Sequence, residues 1–424
     1  MEHPFDTLAE RGFIQDVTDA DGLREALSAG PVTFYYGADP TATSLHIGNL
    51  IGLMAMAWLQ RAGHRPIALV GGGTGRIGDP SGRDEERELL TDDEIRFRVE
   101  RLRDQMSRVI DLDGGGVLID NDDWLRDLEL VDFLRDVGKH FSVNQMIARE
   151  SVRRRLAERE HGISFTEFSY QLLQAYDFAH LHESEGCRLQ IGGSDQWGNI
   201  VAGVELTRRL HGATVFGLVW PLIERSDGKK FSKSTGEAVW LGADDTSPYE
   251  YYQWFLNVPD ADVGRFLRLY TFLPIEEIVA LEEATASDPG SRAAQRTLAG
   301  EATRIMHGEA GLTEAQRATE ALFGDRSLAD LDARTLEGAF EGAPSVDLAT
   351  SRLEDGLGLL EVMVSAGAAE SNGEARRLVK QGGVRMNNIV VDDPTRTLTT
   401  DDLIGDGLIV LRIGKKRHFL IRFV

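Results

Sequence analysis

The sequence predicts an α/β protein: a Rossmann-like parallel-sheet domain, followed by an α-helical domain and a small α+β domain. Three observations predict this fold class. Residues 32–38, 47–60 and 65–70 have the patterns of a strand, a helix and a strand, and such a βαβ unit makes its strands parallel. Residues 247–325 have helical periodicity with little strand signal. Residues 382–424 are rich in strand-forming residues, with turns at 392–394 and 405–407.

Length and composition bound the class of protein. The 424 residues suffice for two to three domains, and a hydrophobic content of 42% is typical of a globular chain. No apolar run reaches membrane-spanning length, and the first residues lack the basic and apolar regions of a signal peptide. The single cysteine, Cys187, excludes an internal disulfide and a cysteine zinc cluster. We therefore expect a cytoplasmic protein without membrane contact and without a protein-bound structural metal.

The charge is unevenly distributed. The chain has 46 basic and 69 acidic residues, and its net charge of −23 disfavours nucleic-acid binding by the molecule as a whole. Residues 371–424, however, carry ten basic residues against six acidic ones. Three of only seven lysines stand together at positions 229, 230 and 233. Local basic patches on an acidic protein allow selective binding of nucleic acid.

The glycine-rich stretch after the second strand contains a dinucleotide-binding spacing. Gly73, Gly75 and Gly78 satisfy G-x-G-x-x-G. In that fold the helix begins within the glycines, whereas residues 79–82 continue the loop here. An NAD-dependent dehydrogenase is therefore an alternative that rests on these glycines alone.

The remaining elements follow in order. Residues 84–160 indicate charged amphipathic helices around a strand at 116–120. We expect a helix from 166 to about 182, a strand at 187–191, a helix at 198–210 and helical structure at 359–380. Residues 326–352 mix Asp, Gly, Ala, Pro and Ser, which favours a linker. The expected domains are 1–225, 226–325 and 353–424.

Two short motifs far apart carry the first chemical signal. His46-Ile47-Gly48-Asn49 opens the first helix, where unpaired N–H groups and the positive helix end favour a phosphate. Lys230-Phe231-Ser232-Lys233-Ser234 places two ammonium groups and two hydroxyls on a loop that could close over a triphosphate. Alone, the first motif also fits a helix cap and the second a solvated loop. As a pair they resemble the nucleotide-binding elements of class I aminoacyl-tRNA synthetases.

A third signal lies on the helix that begins near residue 166. Tyr170, Gln174 and Asp177 fall at i, i+4 and i+7, and therefore on one helix face. A solvated polar stripe would give the same spacing, but the tyrosine and the glycine-rich loop downstream favour a pocket. Such a line of side chains could hold an ammonium group at one end and a hydroxyl at the other.

Four runs resemble those of bacterial tyrosyl-tRNA synthetases, in the order of that family, and the resemblance covers essentially the whole chain. They are Tyr35-Tyr36-Gly37-Ala38-Asp39-Pro40-Thr41, Gly78-Asp79-Pro80-Ser81-Gly82, Tyr170-Gln171-Leu172-Leu173-Gln174-Ala175-Tyr176-Asp177 and Gly192-Gly193-Ser194-Asp195-Gln196-Trp197-Gly198-Asn199. The resemblance implies a tyrosine--tRNA ligase. Such an enzyme forms tyrosyl-adenylate and pyrophosphate from L-tyrosine and ATP, and then transfers tyrosine to the 3′ end of tRNA(Tyr).

The resemblance also implies a tyrosine pocket. Tyr35 and Asp177 would bond the substrate phenol. Its α-ammonium group and the rest of the amino acid would be held by Asp79, Tyr170, Gln174, Gln190 and Gln196. A buried pair that bonds a hydroxyl would be left unpaired by phenylalanine, so rejection needs no editing step. Tyrosyl-tRNA synthetase is itself the standard example of this principle.

For ATP the resemblance implies two overlapping sets of residues, with Mg²⁺ accompanying the nucleotide. The residues around ATP would be Gly37, Asp39, His46, Gly48, Asn49, Gly193, Asp195, Leu222, Ile223 and Lys233. The catalytic residues would be Thr41, His46, Asn49, Arg83, Arg87, Lys230, Lys233 and Ser234. Two positions depart from the family pattern: Asn49 replaces a common second histidine, and Arg83 replaces a common lysine.

The C-terminal part resembles the αL RNA-binding fold shared with a small-subunit ribosomal protein. The residues expected to contact tRNA are Arg376, Arg377, Lys380, Arg385, Lys415, Lys416 and Arg417. A solvated basic face is the alternative, because composition does not separate the two. The resemblance further implies a homodimer formed through an insertion at about 120–165, with tRNA lying across both subunits.

Two alternatives share much of this pattern. A tryptophanyl-tRNA synthetase has the same fold, but Asp177 paired with Tyr35 and the αL tail disfavour it. A catalytically inactive, synthetase-derived RNA-binding protein predicts losses in the lysine loop or the His46 motif, and both motifs are present.

Overall fold

The structure of the protein is a computed structural model. It describes residues 2–81, 90–149, 152–153, 156, 162–223, 226, 238–323, 328–329, 331, 333–340, 343–354, 356–414 and 417–424. The chain forms two compact units, Met1–Thr246 with Phe255–Met306, and Ser247–Trp254 with His307–Val424. The finer division into 1–225, 226–325, a 326–352 linker and 353–424 stays a prediction.

A six-stranded sheet forms the centre of the first unit. Its strands are β1 (Asp16–Val17), β2 (Thr33–Ala38), β3 (Arg65–Val70), β4 (Val117–Asp120), β5 (Cys187–Gly193) and β6 (Phe216–Trp220). Their order is β1-β6-β5-β2-β3-β4, and every pairing is parallel except that of β1 with β6. The predicted βαβ unit is confirmed, since β2 and β3 pair in register from Thr33 with Arg65 to Ala38 with Val70.

Helices complete the first unit. They are α1 (Pro4–Arg11), α2 (Ala20–Ala29), α3 (Ile47–Arg61), α4 (Asp92–Ser107), α5 (Asp122–Leu125), α6 (Leu130–Asp136), α7 (Val143–Ala148), α8 (Phe165–Glu185) and α9 (Trp197–His211). Further along the chain lie α10 (Pro248–Leu256), α11 (Asp260–Tyr270), α12 (Ile275–Ser287) and α13 (Ala293–Phe323), which is kinked at Gly308. Residues 248–254 of α10 and 307–323 of α13 belong to the second unit. Helix α3 is apolar nearly all round and buries ten of its fifteen residues, as expected of a helix inside the core.

The glycine-rich stretch after β3 does not start a dinucleotide-type helix. A single 3₁₀ turn, Thr74–Arg76, follows the strand, and the next described helix begins at Asp92. The spacing of Gly73, Gly75 and Gly78 is therefore not accompanied by the strand-to-helix geometry that gives it meaning.

The second unit contains a five-stranded sheet beside short helices. The elements are α14 (Ala333–Ala339), β7 (Ser345–Leu348), α15 (Ser351–Glu354), α16 (Leu359–Ser365), α17 (Asn372–Lys380), β8 (Val384–Met386), β9 (Ile389–Val390), β10 (Leu408–Ile413) and β11 (Arg417–Phe423). The strand order is β7-β11-β10-β8-β9. Asn387 and Asn388 have φ of 49° and 70° and connect β8 to β9, as a tight two-residue hairpin requires.

Two details of the second unit add to the sequence predictions. The stretch 359–380 is two helices, because Gly367 leaves the helical region with φ 72° and Ser371 caps the next helix. Helix α14 and strand β7 lie inside the segment predicted to be a linker, and β7 pairs with β11. Within the described residues, no helix is both long and apolar enough to span a bilayer.

Candidate active site

The predicted site residues of the first unit gather at one edge of its sheet. Tyr35 and Gly37 lie in β2, and Asp39 and Thr41 directly follow it; Gln190 and Gly193 lie in β5. Asp195 and Gln196 form the 3₁₀ turn after β5, and Leu222 and Ile223 follow β6. The carboxyl ends of parallel strands, where the strand order reverses, are the usual place for a ligand in such a sheet.

His46 caps helix α3. The imidazole Nδ1 of His46 accepts a hydrogen bond from the backbone N–H of Gly48 at 2.9 Å. The backbone N–H of His46 donates to Asn49 Oδ1 at 3.1 Å. The pair thus satisfies two N–H groups that a helix start leaves unpaired. A side chain on Gly48 would put its Cβ 2.7 Å from the imidazole, so glycine is required beside this cap.

The other end of the Asn49 amide is also fixed. Its Nδ2 donates to the phenol oxygen of Tyr36 at 3.3 Å. The Tyr36 ring lies so close to helix α3 that a Cβ on Gly52 would be 2.6 Å from its Cζ. Asn49 therefore bridges the end of β2 and the start of α3, and its contact to Tyr36 was not predicted.

The segment after the lysine motif is attached to the His46 motif. Trp240 forms an antiparallel bridge with His46, Ile47 donates to the Val239 carbonyl at 3.1 Å, and Leu241 donates to the Leu45 carbonyl at 2.7 Å. Residues 230, 233 and 234 lie outside the described residues, as do Arg83 and Arg87. Their predicted roles stay predictions, but the described chain that follows the lysine motif runs alongside the start of α3.

Helix α4 stabilises this junction from outside. Gln105, buried on α4, accepts the Leu45 N–H at 2.8 Å and lies 3.2 Å from the Ser44 hydroxyl. Ser44 in turn accepts the Gly242 N–H at 2.9 Å. Arg101, one turn earlier on α4, donates to the Thr43 carbonyl at 2.8 Å and pairs with Asp245. We call the contacts of Gln105 and Arg101 the α4 clamp.

Asp177 is a buried carboxylate with two donors. Asn121 Nδ2 donates to one oxygen and Trp124 Nε1 to the other, each at 2.9 Å. Burial raises the pKa of the Asp177 carboxyl to about 8, although both hydrogen bonds act to lower it. Tyr35 lies in the same environment, where burial first and the charge of Asp177 second raise the pKa of its phenol well above the ordinary value.

A chain of hydrogen bonds joins the two ends of the polar stripe on α8. The Tyr170 hydroxyl donates to Asp39 Oδ2 at 2.8 Å, and Thr74 Oγ1 donates to Asp39 Oδ1 at 2.7 Å. Asn121 Nδ2 then donates to Thr74 Oγ1 at 2.9 Å as well as to Asp177. Tyr170 and Asp177 are thereby held in a fixed relationship by residues from three other segments.

The described residues predicted to bind tyrosine present negative charge and buried polar atoms without hydrogen-bond partners. The pKa of the Tyr170 phenol is raised well above its ordinary value by burial and then by the carboxylates of Asp39 and Asp79. Among the described residues, the Tyr35 hydroxyl and the Oε1 atoms of Gln174 and Gln190 are buried without a hydrogen-bond partner. Buried polar atoms are normally paired, so these three fit a polar ligand.

A second polar group lies at the end of β5. Gln196 Nε2 donates to Asp79 Oδ2 at 2.7 Å, and Asn199 Nδ2 donates to Gln196 Oε1 at 3.2 Å. At Gly193 an added Cβ would be 2.6 Å from Asp195 Oδ1 and 3.4 Å from Leu222 Cδ2. The structure therefore brings the sheet-edge residues predicted for tyrosine close to those predicted for the nucleotide.

Four residues of this site were missed from the sequence: Thr74, Asn121, Trp124 and Gln105. The first three hold Asp39 and Asp177, and a buried carboxylate needs such donors. Asn121 and Trp124 directly follow β4, at the same sheet edge, and that position was the available signal. No local pattern indicates which donor would reach which carboxylate.

The predicted RNA-binding residues lie in the second unit. Arg376, Arg377 and Lys380 are exposed on α17. Arg385 lies in β8 and donates to the Asn388 carbonyl at 3.2 Å, while Arg417, in β11, donates to the Ala368 carbonyl at 3.3 Å. Lys415 and Lys416 are outside the described residues, so the proposed basic face is only partly described.

Comparison with known proteins agrees with this geometry. Residues 27–324 match the family model described as tRNA synthetases class I (W and Y), and residues 335–421 match that of the Tyrosine--tRNA ligase SYY-like C-terminal domain. The chain is 50% identical to a tyrosine--tRNA ligase of Roseiflexus castenholzii over 99% of both chains, and 48% identical to that of Geobacillus stearothermophilus, over 99% of this chain and 100% of the relative.

A solved structure is also similar. The C-terminally truncated mitochondrial tyrosyl-tRNA synthetase of Aspergillus nidulans superposes with a TM-score of 0.68 at 33% identity, covering 76% of this chain and 95% of that one. Fold and site together define a class I aminoacyl-tRNA synthetase of the tryptophan and tyrosine group. Within that group, the chain belongs to the tyrosine--tRNA ligase family.

Proposed function

We propose that this protein is a tyrosine--tRNA ligase that activates L-tyrosine with ATP and transfers it to the 3′ end of tRNA(Tyr). The observation that carries the proposal is the buried environment of Tyr35 and Asp177 at the carboxyl edge of the sheet. Identity near 50% to tyrosine--tRNA ligases over 99% of the chain supports the same activity. The confirmed family leaves an NAD-dependent dehydrogenase without support.

Tyrosine would be selected at its two polar ends. Its phenol would lie against the Tyr35 hydroxyl and the Asp177 carboxyl group, both of which can hydrogen-bond a hydroxyl. Its ammonium group would lie near Tyr170, Gln174 and Asp79, where carboxylates supply negative charge. Phenylalanine would leave the Tyr35 hydroxyl buried without a hydrogen-bond partner among the described residues and would give Asp177 no partner beyond Asn121 and Trp124, which disfavours it.

The first reaction needs positioning rather than a base. A carboxylate oxygen of tyrosine attacks the α-phosphorus of ATP, the bond to the β-phosphate oxygen breaks, and pyrophosphate leaves. His46, Gly48 and Asn49 would meet the phosphates or ribose at the start of α3, and Lys230, Lys233 and Ser234 would stabilise the charge that develops on the leaving group. A tRNA ribose hydroxyl then attacks the tyrosyl carbonyl carbon, and AMP leaves.

Mg²⁺ would accompany ATP as a companion of the phosphates. The described part of the chain contains no cluster of three His, Cys, Asp or Glu residues able to hold a metal ion. In nucleotide sites Mg²⁺ is usually bound largely by substrate phosphates and water. When bound there, the ion would neutralise phosphate charge.

The partners proposed are tRNA(Tyr) and a second copy of the chain. Arg376, Arg377 and Lys380 form an exposed basic group on α17 that suits phosphate contacts. The 120–165 region exposes large apolar side chains that soluble surfaces usually avoid. These are Leu130, Val131, Leu134, Val143, Ile147, Leu156 and Phe165, 41–78% exposed, which we call the apolar patch.

The experiment that tests the function is amino-acid-dependent exchange of labelled pyrophosphate into ATP. Exchange with tyrosine, and not with phenylalanine or tryptophan, is expected, followed by charging of tRNA(Tyr). Exchange with tryptophan alone would instead support a tryptophanyl enzyme. No exchange by folded protein that still binds tRNA would support an inactive RNA-binding relative.

A further inference from the structure

The indole of Trp124 is held on its edge and on its face by one helix. Its Nε1–H donates to Asp177 Oδ1 at 2.9 Å. The imidazole of His180 stacks on the ring, with centroids 4.5 Å apart and an interplanar angle of 22°. Asp177 and His180 are three residues apart on α8, and such residues share a helix face. A single rigid element therefore fixes both the position and the tilt of the indole.

Trp124 needs this support because its own element gives little. It lies on α5, a single turn of four residues, and such a short helix is not stable by itself. The indole is only partly buried. Rotation of the ring would take its N–H away from Asp177 and leave the buried carboxylate with Asn121 as its remaining side-chain donor among the described residues.

Two more aromatic rings extend this cluster beyond His180. Tyr176 lies 6.2 Å from the imidazole, between ring centroids, and Phe133 of α6 lies 5.8 Å from Tyr176. The imidazole thus has two aromatic neighbours, Trp124 stacked on it and Tyr176 tilted beside it. Ring pairs of this kind contribute beyond the area they bury.

We propose that His180 is a positioning residue for tyrosine selection. By stacking on Trp124 it holds the indole N–H on Asp177, and so holds the carboxylate in place for the substrate phenol. This inference rests on the proposed function, because it assigns the phenol to Asp177. The inference assigns a role to His180, for which the sequence motifs predict none.

The test compares three variants of the full-length protein by pyrophosphate exchange. His180→Ala removes the stacked ring, and His180→Phe keeps an aromatic ring there. His182→Ala is the matched control on the same helix, since His182 contacts the Cys187 carbonyl and not Trp124. We expect His180→Ala to raise the KM for tyrosine roughly two- to tenfold, the size of one lost aromatic pair. The KM for ATP should change less than about twofold, and selectivity for tyrosine over phenylalanine should fall.

Two outcomes with the His180 variants would overturn the inference. One is a His180→Ala enzyme with the wild-type KM for tyrosine, or with equal rises in both KM values. The other is a His180→Phe enzyme as impaired as His180→Ala. Failure of the proposed function is distinguishable, because the wild-type protein would then show no tyrosine-dependent exchange. Calorimetric binding of tyrosine gives the same comparison without catalysis, and a wild-type protein that binds no tyrosine would also overturn the inference.

Discussion

Gln105 accepts the backbone N–H of Leu45 at 2.8 Å, and this bond ties helix α4 to the residue before His46. Gln105→Met would remove the acceptor with little change in volume. A buried N–H left unpaired costs about 1–3 kcal/mol, so we expect a lower melting temperature. Because Gln105 also accepts the Ser44 hydroxyl, which in turn accepts the Gly242 N–H, we expect a lower rate of tyrosine activation with little change in tyrosine affinity.

Gln105→Glu is the control for this prediction, because it keeps an acceptor oxygen at the same place. Thermal melting and single-turnover activation should rank the proteins as wild type, then Glu, then Met. A Met variant with the wild-type melting temperature and rate would show that the α4 clamp is dispensable.

Tyr35→Phe tests the phenol end of the pocket. The hydroxyl of Tyr35 has no protein partner among the described residues, so its removal should cost little stability. We expect kcat/KM for tyrosine to fall roughly three- to tenfold, the size of one neutral hydrogen bond, while exchange with phenylalanine is unchanged or higher. Steady-state exchange with both amino acids measures this. An equal fall for both would argue against a contact with the substrate hydroxyl.

Asp177→Asn tests the ionisation of the buried carboxylate. Burial raises its pKa to about 8 in the folded protein, whereas an unfolded aspartate titrates near 4. The folded state therefore holds an extra proton between these values, and the stability contributed by Asp177 is full below about pH 4 and is lost as the pH rises to about 8. The slope is at most about 1.4 kcal/mol per pH unit.

The asparagine variant lacks this slope. Its melting temperature relative to wild type should therefore rise steadily from pH 5 to pH 8. Scanning calorimetry of both proteins at several pH values measures the difference. A difference that does not depend on pH would show that Asp177 keeps an ordinary pKa.

Several predictions made from the sequence are confirmed: the fold class, the βαβ unit at β2 and β3, and the family. Periodicity and helix-start chemistry located α3 to within one residue, because an apolar helix after a buried strand has few alternative placements. The donors to Asp177 could not be predicted. Asn121 and Trp124 are separated from it by more than 50 residues, and their pairing depends on how β4 and α8 pack.

The role of His46 is likewise not determined by the local sequence. A cap and a phosphate contact both predict histidine at a helix start, and the structure shows the cap. Capping uses the Nδ1 of His46, and a phosphate contact at this helix start stays a prediction. Local sequence cannot separate the two roles, because each depends on the same unpaired N–H groups.

Lys230→Ala and Lys233→Ala test the proposed lysine loop. Each substitution removes one lysine ammonium group that would stabilise the charge on the leaving pyrophosphate. We therefore expect activation to slow by about 100-fold or more, with little change in tyrosine affinity. Transient kinetics separates the two quantities. Lys229→Ala is the matched control, since its neighbours carry the proposed role. Equal losses of activation rate and tyrosine affinity would contradict the proposed role of Lys230 and Lys233.

Phe165→Asp tests the proposed homodimer. A charge on the 78% exposed Phe165 of the apolar patch should weaken association, because an unpaired charge buried in an interface is costly. Sedimentation should show a shift from dimer to monomer. Phe97→Asp is the control, since Phe97 is exposed on α4, outside the patch. A wild-type protein that is monomeric and fully active would contradict the proposal.

Tyr36 and Gly52 constrain each other's side-chain size. The ring at position 36 occupies the space that any side chain at position 52 would need, 2.6 Å from its Cβ. Neither residue can be exchanged freely without the other, and engineers who enlarge position 52 must first reduce position 36. Among related chains, the two positions should therefore covary, with a bulky residue at one accompanied by a small residue at the other.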